Sequence, residues 1–130
     1  MNTFTSTTQI TRPVSDIYAY LSDFNNHRAL MPDNVQAWSS DYNEASFNVQ
    51  GITLKLSITE RESNSRIVIT PSEKAPFDVK LVWDLASNNG SSEITFTITA
   101  ELNMMMKMMV AGPLQKLADH QTETLARVMV

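Results

Sequence analysis

The chain has 130 residues, 42% hydrophobic and 18% charged, a balance that suits one globular unit with a real core and not a disordered chain. Its net charge is −4 and its ten Lys and Arg are scattered, which speaks against a nucleic-acid surface. It has no cysteine, so disulfides, thiolate metal sites and cysteine nucleophiles are excluded.

Met1-Asn2-Thr3-Phe4-Thr5 carries no basic and apolar signal pattern, and no apolar run approaches the ~18 residues of a membrane span. A cytoplasmic location is expected, with residues 1–130 forming a single domain. Thr3 to Thr11, rich in Thr and β-branched residues, reads as a first strand. Arg12-Pro13 stops it, and Pro13 opens a helix to about Ser22 with Val14, Ile17 and Leu21 on one face. Asp23 caps a second short helix through Asn26 and Leu30, which Pro32 terminates.

After Pro32 the period becomes two. Strands are expected over Val35–Ser40, Ala45–Gln50, Ile52–Glu62, Arg66–Thr70, Phe77–Ala86 and Ser91–Leu102. Ile52, Leu54, Leu56 and Ile58 share one face, as do Val79, Leu81, Trp83 and Leu85, and Ile94, Phe96, Ile98, Ala100 and Leu102. The intervening polar residues predict a sheet wet on its other side. Asn89-Gly90 is the strongest hairpin signal, because both residues accept the positive φ of a type I′ turn.

From Asn103, a candidate N-cap, the pattern turns helical. Met106, Val110, Leu114, Leu117, Gln121, Leu125 and Val128 fall on one stripe. At Gly112-Pro113 the helix either kinks or ends and restarts with Pro113 at its first position, and the stripe keeping phase across the break favours a continuous, kinked helix.

A strand, two short helices, a six-strand meander and a long terminal helix is an unusual order. With Ile10-Thr11-Arg12-Pro13-Val14-Ser15-Asp16-Ile17-Tyr18-Ala19-Tyr20-Leu21-Ser22-Asp23, it resembles the helix-grip superfamily of START domains, birch-pollen-allergen-like proteins and bacterial polyketide cyclase/dehydrase-like proteins (SRPBCC). The chain departs from that pattern in having no tryptophan in the stretch Asn25 to Met31. The resemblance implies an α+β fold in which a curved antiparallel sheet of about seven strands wraps around the C-terminal helix. It also implies a cavity between the two for lipids, sterols, quinones or polyketides. Phe47, Leu54, Leu56, Trp83, Phe96, Met106, Val110, Leu114 and Leu117 would line it, with Gln121 as the polar group inside.

Gln121 either orients a ligand or bonds to a strand, since a buried unpaired amide costs about 1–3 kcal/mol. Met104, Met105, Met108 and Met109, with Met106, cover every side of a helix turn, and only one side can pack on the sheet. They are core filling, a cavity rim or a surface for a protein partner. His27 and His120 are the only histidines and have no metal-ligand spacing, and His120 beside Asp119 reads as a solvated flank. No G-x-S-x-G elbow and no phosphate-binding glycine loop occurs, and no catalytic residue, metal or cofactor is expected. Glu60 continues the inward parity of Ile58, either as a potential acid–base group or simply wet at a strand end. Three readings follow: a carrier or sensor of a small apolar molecule, a cyclase/dehydratase-type enzyme using the same cavity, or a protein-interaction module using the Met-rich segment.

Overall fold

The computed structural model describes residues 2–49, 51–73 and 78–129. Strand β1 (Asn2–Ile10) is followed by helix α1 (Val14–Ser22) and a 3₁₀ helix (Phe24–Leu30). Then come β2 (Val35–Ser40), β3 (Glu44–Val49), β4 (Ile52–Glu62), β5 (Arg66–Pro71), β6 (Val79–Asn88), β7 (Ser91–Ala100) and helix α2 (Met104–Val128). The strands form one open antiparallel sheet of seven, ordered β1-β7-β6-β5-β4-β3-β2, so only β1 leaves chain order to flank β7. The expected helix-grip architecture is therefore present. Gln50 and Phe77, placed at strand ends from the sequence, lie outside the described residues.

The local signals act as their chemistry requires. Pro13 sits one position earlier than expected, as the N-cap with ψ 153°, and the helix proper begins at Val14. The Asp23 carboxylate accepts from the Asn25 N–H at 3.0 Å and the Asn103 side chain from the Met106 N–H at 2.8 Å, each satisfying an otherwise orphaned donor. Asn89 and Gly90 have φ of 52° and 85° and close the hairpin that pairs Asn88 with Ser91.

Alternation places Phe4 and Ile10 of β1, Ala45 and Phe47 of β3, Leu56 and Ile58 of β4, Leu81, Trp83 and Leu85 of β6, and Ile94, Phe96 and Ile98 of β7 in one buried cluster on the concave face. The cover over this face is divided. Helix α1 packs against β5 and β6, and the 3₁₀ helix against β2 and β3. Helix α2 lies chiefly on β1, with further contacts to β7 and the 3₁₀ helix.

Two bulges change which residues face inward. Between Ile58 and Glu60 the β4–β5 register slips by one, so Glu60 opposes Val68 and Arg61 opposes Ile67. Glu60 is exposed and does not continue the inward parity of Ile58; the extra residue turns it outward and brings Arg61 to the inner side instead. In β2 the register slips between Gln36 and Ser39, with Ala37 at φ 56°. That left-handed residue turns Trp38 onto Phe47 of the neighbouring strand, ring centroids 5.3 Å apart.

Helix α2 runs unbroken through Pro113. Its buried residues are Ala118, Gln121, Thr122, Thr124 and Leu125, all in its second half. The buried face thus extends beyond the expected stripe towards Ala118 and Thr122. Thr122 Oγ1 lies 2.7 Å from Ser6 Oγ and ties that flank to β1. Val128, placed on the buried stripe from the sequence, is instead 45% exposed in the last turn, where Met129 is the buried residue.

Candidate functional site

The 3₁₀ helix supplies the centre of the concave interior. At three residues per turn, positions three apart stack on one face, and Phe24, His27 and Leu30 are all buried. Phe24 meets the His27 ring edge-on at 4.8 Å and Trp38 at 6.1 Å. On the other side, His27 faces Trp83 edge-on at 6.5 Å, and Trp83 stacks on Phe96 at 4.1 Å. A continuous aromatic wall therefore runs from Phe96 on β7, through the 3₁₀ helix, to Phe47 on β3.

The polar groups inside are few and neutral. His27 Nε2 lies 2.8 Å from the Leu21 carbonyl, so the neutral ring carries its proton on Nε2 and donates there. Burial lowers the His27 pKa to about 4, against the opposing pull of the Leu21 carbonyl and Asp23 and with a smaller contribution from Arg61. Gln121 is 1% exposed. Among the described residues its only hydrogen-bonding partner is Met31 Sδ, 3.7 Å from Nε2 and a weak acceptor. Trp83 Nε1 and Thr124 Oγ1 are buried without any partner among the described residues. The other buried polar side chains are those of Ser22, Ser92 and Thr122, and among the described residues no carboxylate joins them.

Arg61, swung inward by the bulge, closes the end of the interior near the C-terminus of α1. Its Nε and Nη2 donate to the Ser22 carbonyl at 3.0 and 2.8 Å, and Nη2 also donates to the Tyr42 carbonyl at 3.0 Å. The guanidinium covers the Tyr42 ring at 4.3 Å. It is a structural clasp that ties the helix-end carbonyl of Ser22 to the loop carbonyl of Tyr42, which also accepts from the Phe24 N–H at 3.1 Å.

The expected lining residues divide into three groups. Phe47, Leu56, Trp83 and Phe96 are buried in the core, and Gln121 is buried with them. Leu54, Leu114 and Leu117 pack against that core but are only half-buried. Met106 and Val110 are half-exposed and lie outside the core cluster, in the stretch of α2 that precedes its first core-packed residue, Ala111.

The described residues form open clefts at the surface, two of which bear on the interior. One, of about 410 Å³, lies beside Glu62, Leu85 and Glu93 and contains the Arg66–Asp84 ion pair at 2.8 Å. The other, of about 430 Å³, lies between the end of the 3₁₀ helix and β2, walled by Arg28, Met31, Pro32, Val35 and Trp38. Met31 belongs to this wall and also touches Gln121, so one flexible thioether separates the cleft from the interior amide.

Sequence reasoning missed His27, Met31, Trp38 and Arg61. The threefold spacing of Phe24, His27 and Leu30 was a usable signal for His27. The inward turns of Trp38 and Arg61 depend on bulges that alternation does not reveal.

No protein-family model matches this chain, and no curated protein does. Solved structures do match, over nearly the whole length. A START superfamily protein from Mycobacterium smegmatis aligns at TM-score 0.72 and 13% identity, over 98% of this chain and 96% of that one. The XoxI protein from Bacillus cereus aligns at TM-score 0.78 and 11% identity, over 99% and 96%. The Aha1 dimer from Colwellia psychrerythraea aligns at TM-score 0.73 and 12% identity, over 99% and 96%. At these identities the likeness shows the fold, which is START-like.

Proposed function

We propose that the chain is a cytoplasmic carrier or sensor for a small, mainly apolar molecule bearing a hydrogen-bond acceptor, such as a quinone, lipid or polyketide-like carbonyl compound. The molecule would lie between the concave sheet face and the first half of α2, reached past Met31. One observation carries this reading: Leu54, Leu114 and Leu117 stay half-buried against the core while α2 buries residues only from Ala118 onward. Natural packing closes over such side chains when nothing else is to be accommodated, since burying each contributes about 1.5–3 kcal/mol.

The acceptor follows from the unpaired donors. Among the described residues Trp83 Nε1–H is buried without a partner, and the Gln121 amide reaches only a thioether. A plain hydrocarbon would leave both unsatisfied, whereas a carbonyl or hydroxyl oxygen would pair with one of them. The carrier is favoured over a cyclase because the buried polar groups are neutral, and a histidine with a pKa of about 4 is a weak general base at neutral pH. The START-like fold supports ligand binding in general.

Native mass spectrometry of freshly purified protein is the direct test, with an oxygen-containing small molecule expected to be retained. Leu117→Trp should fill the space and abolish binding of a fluorescent hydrophobic probe while leaving the melting temperature within a few degrees. No retained molecule, together with equal probe binding by both proteins, would overturn the proposal.

A further inference from the structure

Helix α2 buries two hydroxyls that are placed very differently. Thr122 Oγ1 donates to the Asp119 carbonyl at 3.1 Å, the bond to the preceding turn that a helical threonine commonly makes, and lies 2.7 Å from Ser6 Oγ. Thr124 is 8% exposed, yet its Oγ1 has no partner among the described residues, not even a carbonyl of its own helix. At about 100° per residue, Thr124 stands roughly 60° from Gln121 and Leu117 roughly 40° from it, both on the side away from Thr122. Leu117, Gln121 and Thr124 therefore form one column, on the flank of α2 where Gln121 meets Met31. Gln121 engages there only through Nε2, so its oxygen Oε1 has no donor among the described residues.

We infer that Gln121 and Thr124 together hold a hydroxyl group of the ligand, whose O–H donates to Gln121 Oε1 and whose oxygen accepts from Thr124 Oγ1–H. This rests on the ligand reading above and narrows it, from a molecule with any acceptor to one that both donates and accepts. Side chains three apart on a helix have Cβ atoms about 5–6 Å apart, so one oxygen can lie within hydrogen-bond reach of both. A ketone or ether oxygen would take the Thr124 proton but leave Oε1 without a donor. A charged end would need a counter-charge, and among the described residues no Asp, Glu, Lys or Arg is buried. Leu117, half-buried one turn earlier in the same column, supplies the apolar contact beside the hydroxyl.

Chemical-shift titration of the ¹⁵N-labelled full chain with 2-naphthol, 2-methoxynaphthalene and naphthalene tests this, since the three share one apolar body. The wild type should bind 2-naphthol roughly two- to tenfold more tightly than the ether, the difference one donated hydrogen bond makes. Gln121→Leu should abolish that preference. Thr124→Val should weaken both oxygen-bearing probes by a similar factor, leave naphthalene unchanged and keep the melting temperature, because its hydroxyl bonds to nothing in the fold. Thr124→Ser should bind as the wild type does. Equal binding of 2-naphthol and its ether, a preference that survives Gln121→Leu, or affinities unmoved by Thr124→Val would overturn the inference and leave the carrier reading standing. A fall of several degrees in the melting temperature of Thr124→Val would show that the hydroxyl holds the fold together, for instance through a bound water, and would overturn it equally. Failure of all three probes to bind would overturn both readings.

Discussion

Gln121→Leu separates a ligand-directed amide from a structural one. The Gln121 amide is 1% exposed and reaches Met31 Sδ at 3.7 Å, a contact weaker than an oxygen acceptor would provide. Burying an amide without adequate partners costs about 1–3 kcal/mol, and the thioether recovers only a small part of it. Leucine has no such cost at this site, which lies between the buried Ala118 and Leu125, about one turn away on either side. The expected net change is a stabilisation of about 1 kcal/mol, or roughly 3–5 °C in Tm for a chain of this length. Binding should move the other way. Losing one neutral hydrogen bond weakens affinity by about 0.5–1.5 kcal/mol, roughly two- to tenfold in Kd. Differential scanning fluorimetry of the ligand-free protein and titration with a carbonyl-bearing fluorescent probe read the two effects separately. A fall in Tm of several degrees would show that the amide holds the fold together and would refute the argument.

Two further changes follow from the interior. His27 has its pKa lowered to about 4 by burial, so the unfolded chain, near 6.5, takes up a proton that the folded one refuses. Its contribution to stability is whole above pH 6.5 and is lost by about 3 kcal/mol as pH falls towards 4, which is measurable as a declining urea midpoint. His27→Gln should flatten that decline between pH 6.5 and 4.5, and an unchanged slope would count against the assignment. Arg61→Ala removes three donations to the Ser22 and Tyr42 carbonyls and should cost about 2 kcal/mol. Arg61→Lys should recover little, since an ammonium cannot reproduce the fork, and an unchanged midpoint in either variant would dismiss the clasp.

Where structure is decided by neighbours in sequence, it was legible in advance. Alternation in β4, β6 and β7 located their strands because side chains on a pleated strand take opposite faces in turn. Asp23, Asn103 and Asn89-Gly90 announced caps and a hairpin because their side chains or permitted φ act within three residues. Leu56, Trp83 and Phe96 emerged as sharing the buried face of their strands from this rule, and they are buried.

What escaped the sequence depends on partners far away in it. Glu60 and Arg61 exchange sides because β5 accepts β4 with one residue to spare, and a period of two cannot show where such a slip falls. Trp38 reaches Phe47 for the same reason at Ala37. The stripe located Gln121 and Leu125 on the buried arc of α2, but the arc also takes in Thr122, whose partner Ser6 lies 116 residues earlier. His27 reads as an isolated polar residue until the 3₁₀ turn carries it between Phe24 and Trp83, where loss of water, more than any neighbouring charge, makes it neutral. Periodicity is a property of one segment, whereas register, burial and electrostatic environment belong to pairs of segments and exist only once the chain has folded.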